Sequence, residues 1–88
     1  MLLEMLKINL GIRSTAYDER LTQLLDASKA RITEEGVRDL DENSPLDAQL
    51  ITDYAEWLWR RRDTKEGMPR MIRWALNNRV FSGKMQEV

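Results

Sequence analysis

SPLDAQLITDYAEWLWRRR, residues 44–62, decides the fold. Ser44 can cap a helix N-terminus, Pro45 suits the first helical position, and Asp47 sits at the third, where the helix dipole favours negative charge. Leu50, Ile51, Tyr54, Trp57 and Leu58 then recur at three- and four-residue spacing. That is the period of a helix with one buried face, and it predicts a helix from Pro45 to about Arg62.

The stretches on either side follow the same period. Upstream, beyond a break at residues 36–45, a helix is predicted from about Ala16 to Glu35, capped by Ser14 or Thr15. Its stripe is Tyr17, Leu21, Leu24, Leu25, Ser28 and Ile32, and its remaining positions are polar. A short helix over Leu2 to Asn9 precedes it and stops at Gly11; at that length it holds only if docked on the rest. Downstream, past Thr64 to Pro69, a helix is predicted from Pro69 to about Phe81, with Met68, Met71, Ile72, Ala75 and Leu76 toward the core. β-Branched residues are sparse and no Asn-Gly or Asp-Gly hairpin signal occurs. The expected fold is all-α: one domain over residues 1–88, a small helical bundle of three main helices plus a short N-terminal helix.

Composition narrows the chemistry. Eighty-eight residues hold one core, and 42% hydrophobic residues suffice to build it. The chain has no Cys, so disulfides and thiolate chemistry are excluded, and no His, the usual general base and commonest metal ligand. No enzyme, cofactor or metal site is therefore expected. Lys and Arg number 14 against 15 Asp and Glu, which gives no bulk attraction to nucleic acid or anionic membrane. No uncharged run exceeds five residues, too short for a membrane span or a signal peptide, so a soluble protein made in the cytoplasm is expected.

Three local patterns could carry function. Asp39, Asp41 and Asn43 open like a calcium loop, but Ser44 stands where that loop needs Gly and Leu50 where it needs a bidentate Glu. Paired carboxylates such as Glu34-Glu35 and Asp41-Glu42 fall in or near turns and read as solvated surface. Arg60, Arg61 and Arg62 follow Trp57 and Trp59 and precede Lys65, Arg70 and Arg73. Aromatics interleaved with arginine suit single-stranded nucleic acid, which makes a nucleic-acid-binding helical module using the Arg60–Arg79 region the alternative function.

Surfaces left over by the core point elsewhere. Ala48, Thr52, Ala55 and Trp59 form a second stripe on the central helix, and Trp74, Asn78 and Phe81 form a patch on the last one. Both are predicted to face a neighbouring subunit or partner, with Arg60, Arg61 and Arg62 pairing to acidic groups there. The competing expectation is that the N-terminal helix covers one patch and the C-terminal tail, Ser82 to Val88, the other. Residues 1–59 carry twelve acidic and six basic side chains; residues 60–88 carry three acidic and eight basic. Such polarity suits head-to-tail contact between copies.

At this point the residues resemble a family. Leu6-Lys7-Ile8-Asn9-Leu10-Gly11-Ile12, then Asp18-Glu19-Arg20-Leu21-Thr22-Gln23-Leu24-Leu25 with Ala27 and Ile32, resembles the small head–tail connector (adaptor) proteins of tailed bacteriophages and prophages. Tyr54 to Arg62, Met68-Pro69-Arg70-Met71 and Ala75 to Phe81 are similar to short members from phages of Gram-positive hosts. The resemblance implies a non-enzymatic virion protein of the head–tail joint, made in the host cytoplasm. It implies a homo-oligomeric, dodecameric ring that docks below the portal protein, receives a tail or head-completion protein, and passes DNA through its channel without sequence-specific binding or membrane contact. The chain ends soon after its last helix, unlike longer members that reach the portal with a C-terminal extension.

Overall fold

The computed structural model describes residues 2–61 and 67–86, with side chains as far as Ser82 in the second stretch. Among them are four helices and no strands: α1 (Leu2–Leu10), α2 (Asp18–Glu34), α3 (Pro45–Arg60) and α4 (Arg70–Gln86). The all-α expectation holds, and all four helices lie where the periodicity places them. α3 is the centre. It packs against α2, α1 and α4, while α1 also packs on α2. α4 rests chiefly on α3, so the molecule is a flat body of 46 × 29 × 17 Å.

One core runs through all four helices. Leu6, Leu21, Ile32, Ile51 and Leu76 are fully enclosed, with Leu24, Leu25, Val37, Leu50, Tyr54, Trp57 and Ile72 around them. Two buried hydroxyls are satisfied by their own helices: Ser28 Oγ donates to the Leu24 carbonyl at 2.7 Å and Thr52 Oγ1 to the Ala48 carbonyl at 2.9 Å. Neither leaves an unpaired polar group in apolar surroundings, so small hydroxyl residues are tolerated at close helix contacts.

Glycine ends both N-terminal helices by the same device. After α2, Gly36 turns with φ +110°, its N–H donates to the Thr33 carbonyl, and the Val37 N–H reaches back to the Ile32 carbonyl. After α1, Gly11 takes φ +73°, with Gly11 N–H on Ile8 and Ile12 N–H on Lys7. Each is a Schellman cap, and in the first the buried pair Ile32 and Val37 supplies its apolar contact.

The start of α2 differs from expectation. α2 begins at Asp18 with Tyr17 in the cap position and no side-chain cap bond; Ser14 Oγ instead accepts from the Ala16 N–H. Tyr17 is therefore half-exposed ahead of the helix. Ser44 occupies the cap of α3 in an extended conformation, again without a side-chain bond. α3 ends at Arg60, short of Arg62, which lies outside the described residues. At the other end, α4 continues well past Phe81 to Gln86, so most of the segment expected as a flexible tail is helix.

A Cβ at Gly36 would meet Val80 at 3.5 Å, an ordinary contact, so the cost of a side chain there is conformational. Gly36→Ala is expected to destabilise the protein by about 1–2 kcal/mol, seen as a lower urea midpoint with an unchanged slope.

Candidate functional site

α4 is held at its middle by one buried ion pair. Arg79 Nε donates to Asp47 Oδ1 at 2.8 Å, and its Nη2 donates to the Arg38 carbonyl at 2.9 Å and the Asp39 carbonyl at 3.2 Å. Asp47 Oδ2 in turn accepts the Asp41 N–H at 2.9 Å. The carboxylate expected to favour the start of α3 through the dipole thus ties α3, the 37–44 loop and α4 together. Its side chain is 5% exposed and that of Arg79 22%. Burial pushes the Asp47 carboxyl up, but the Arg79 guanidinium and the Asp41 N–H outweigh it and hold the group below the ordinary aspartate value.

The acidic loop is consumed by its own folding. Asp41 Oδ1 accepts the Asn43 N–H at 2.9 Å, Glu42 pairs with Lys29 of α2, and Asp39 adopts a left-handed φ of +53°. Among the described residues no group of three or more Asp or Glu is placed to hold a metal ion, and no helix is long and apolar enough to cross a membrane.

The predicted interface residues separate into two sets. Ala48, Thr52 and Ala55 are buried inside the chain, because α1, α2 and α4 all pack on α3. Their prediction as partner surface is corrected on that ground. Trp59 is half-buried against the core, with Tyr17 edge-on to its ring at 5.4 Å. Arg60 pairs with Glu56 one turn back at 2.6 Å, and Arg61 lies over the Trp57 ring at 4.9 Å, so both have partners within the chain.

Trp74, Asn78 and Phe81 are exposed, as predicted, Trp74 by 64% and Phe81 by 63%. Met71, placed toward the core by its sequence neighbours, joins them instead at 74%. At 100° per residue these four fall within an arc of roughly 80°, on the opposite side of α4 from Ile72, Leu76 and Val80. The three-four-three spacing of 71, 74, 78 and 81 is the signal that separates Met71 from the inner stripe. Leu46, 83% exposed on the first turn of α3, carries no such signal, because only the packing of α3 on α4 brings it near. A groove of about 310 Å³ opens there, lined by Leu46, Leu50, Trp74, Ala75, Asn78 and Ser82 above the Asp47–Arg79 pair.

A second hollow of about 270 Å³ lies where α4 begins, between Trp57, Met71 and Ile72, with Asp53 and Glu56 at its wall. Burial pushes the Asp53 carboxyl up, and the Gln49 amide donating to it at 2.8 Å offsets this only in part. The Trp57 indole donates to the Gly67 carbonyl at 3.1 Å and anchors the chain entering α4.

Comparison with known proteins gives no match to any family model, curated protein or solved structure. The α4 face is accordingly read on its own chemistry. It is an apolar stripe with no core to cover it, on a helix clamped from behind.

Two stability experiments check the electrostatics. Asp47 contributes stability that is complete above the unfolded carboxyl value near 4 and lost as pH falls through its lower folded value. Asp47→Asn should therefore cost on the order of 2–3 kcal/mol at pH 7, and the gap from the parent should close as urea titrations move below pH 4. Asp53 has the opposite sign: its folded value is raised, so ionising it costs stability as pH rises above the unfolded value. Asp53→Asn keeps an acceptor for Gln49 and is expected to raise the urea midpoint at pH 7 but not at pH 3.

Proposed function

We propose that this chain is a non-enzymatic structural subunit, a ring-forming head–tail connector of a tailed phage or prophage. It docks below the portal and extends the DNA channel toward the tail. The observation that carries the reading is the outer face of α4. Met71, Trp74 and Phe81 stand exposed together on a helix whose other side is fixed in the core, and Leu46 extends the patch across a groove. A single core this small has no use for a second apolar stripe, and exposed aromatics at such density serve as anchors for a macromolecular neighbour. The sequence resemblance supplies the identity of that neighbour: portal protein, a tail or head-completion protein, and further copies of the chain. A closed ring also needs two unlike patches per subunit, and the uneven division of charge between residues 1–59 and 60–88 supports that geometry.

The basic region is less available for phosphate than its composition suggests. Arg60, Arg73 and Arg79 are paired to Glu56, Glu35 and Asp47. Nucleic-acid binding is therefore not the leading reading.

The test is affinity capture of the tagged protein from a nuclease-treated lysate of prophage-induced cells, alongside the Trp74→Ala, Phe81→Ala double variant. The parent should recover portal or tail-completion proteins. The variant should keep its helical circular dichroism, because both rings are largely in solvent, yet lose them. Recovery of no virion protein by the parent, or salt-sensitive recovery of nucleic acid from an untreated lysate in their place, would overturn the connector reading.

A further inference from the structure

We infer that the hollow between α2 and the end of α3 is a contact site for the phosphate backbone of a nucleic-acid duplex, held by Arg20, Arg31 and Arg61. The outer face of α4 plays no part in it. Of the three arginines only Arg61 belongs to the basic run that follows Trp59.

The fold brings these cations together. On α2, Arg20, Ala27 and Arg31 fall within roughly 40° of arc, at the border of the buried stripe. Because α2 packs on α3, that border opens toward the end of α3. Leu58 and Arg61 close a hollow of about 390 Å³ there, floored by Leu24 and Ala27. Gln23 is its other polar side chain, and no acidic residue lines it. Glu19 and Asp26 lie roughly 80° or more round α2 from this strip, and Glu34, one turn beyond Arg31, bounds it at that end.

The pairing of charges sets the site apart. Lys7, Lys29, Arg60, Arg73 and Arg79 each meet a carboxylate within the chain. Among the described residues Arg20, Arg31 and Arg61 meet none, and all three are exposed. Arg20 shares one N–H with Gln23 Oε1 at a long 3.4 Å, and Arg61 sits over the Trp57 ring. A guanidinium has five N–H donors, so both keep donors for a ligand. Three like charges around one hollow repel one another until an anion comes between them.

Spacing and lining select the ligand. Arg20 and Arg31 stand eleven residues apart, about 16 Å along α2, too far for one small anion to bridge. A duplex presents a phosphate on each strand about every 3.4 Å, hence about five over that length. An acidic protein segment fits less well. None of the exposed large apolar side chains lines this hollow, and protein partners centre their contacts on such anchors. A single strand is disfavoured likewise, because its bases stack on exposed rings. Phosphates need only charge and the guanidinium fork, and they carry no sequence information. The chain as a whole is near neutral, so the attraction is local and weakens quickly with salt.

The full chain can be tested by fluorescence anisotropy with a labelled DNA duplex two helical turns long, in low-salt buffer. Three phosphate contacts predict a slope of about −2.7 for the logarithm of affinity against that of salt concentration, alike for duplexes of unrelated sequence. Arg20→Gln with Arg31→Gln should bring the slope to about −0.9 with unchanged circular dichroism, since neither side chain is paired. Arg70→Gln, removing an exposed arginine of α4, should leave it where it was. Absence of duplex binding at low salt overturns the inference, as does a slope that the double variant does not change. Tighter binding of a single strand, of a poly-glutamate peptide or of phosphatidylserine vesicles overturns it too, since the hollow would then serve another partner. These outcomes remain separable from the connector reading. A chain that binds the duplex but captures no virion protein loses that reading alone; one that captures portal protein and ignores the duplex loses this inference alone.

Discussion

Asp47 and Arg79 form the contact on which the arrangement of the outer half of the molecule depends. α4 rests chiefly on α3, and its inner stripe of Ile72, Leu76 and Val80 is short. Apolar contact over so few residues holds a helix against a surface but resists rotation and sliding weakly. A charged fork on a buried carboxylate is directional. With one nitrogen pair on Asp47 and the loop carbonyls of residues 38 and 39, Arg79 sets the rotation of α4 about its axis. Because the outer stripe lies opposite the inner one, that rotation also determines which residues face solvent.

The same contact explains the shape of the acidic loop. A segment rich in Asp and Glu would repel itself if left without cations. Here Lys29 comes from α2 and Arg79 from α4, and the carboxylate of Asp41 accepts the Asn43 N–H. Residues that resemble a calcium loop by their letters serve instead to bind two helices to a third. Their charges do structural work, whereas the exposed apolar face of α4 has no partner within the described residues.

The division between core and surface was legible along most of α2, where Tyr17 alone of the expected stripe is half-exposed. Leu21, Leu24, Leu25, Ser28 and Ile32 form a single stripe on α2 and are all buried. It was not legible on α3, whose second stripe of Ala48, Thr52 and Ala55 reads equally as a close contact within the chain or between chains. Periodicity reports that a face is apolar but not what covers it. α1, too short to be stable alone, packs on α3 and contributes Leu6 to the same core. Met71 was misassigned for a related reason: it adjoins Ile72 in sequence, and 100° of rotation suffices to carry it from the inner arc to the outer.

By itself the sequence determined the helical class, the number and order of the helices, and the glycine that stops the first, because these follow from local periodicity and backbone freedom. It also determined that Trp74 and Phe81 stand apart from the core stripe of their own helix. Only the tertiary structure decided that Trp59 turns inward to Tyr17, that Asp47 pairs across thirty-two residues with Arg79, and that Leu46 joins the α4 face. These depend on which elements meet, and a contact between distant residues leaves no period in the chain to read.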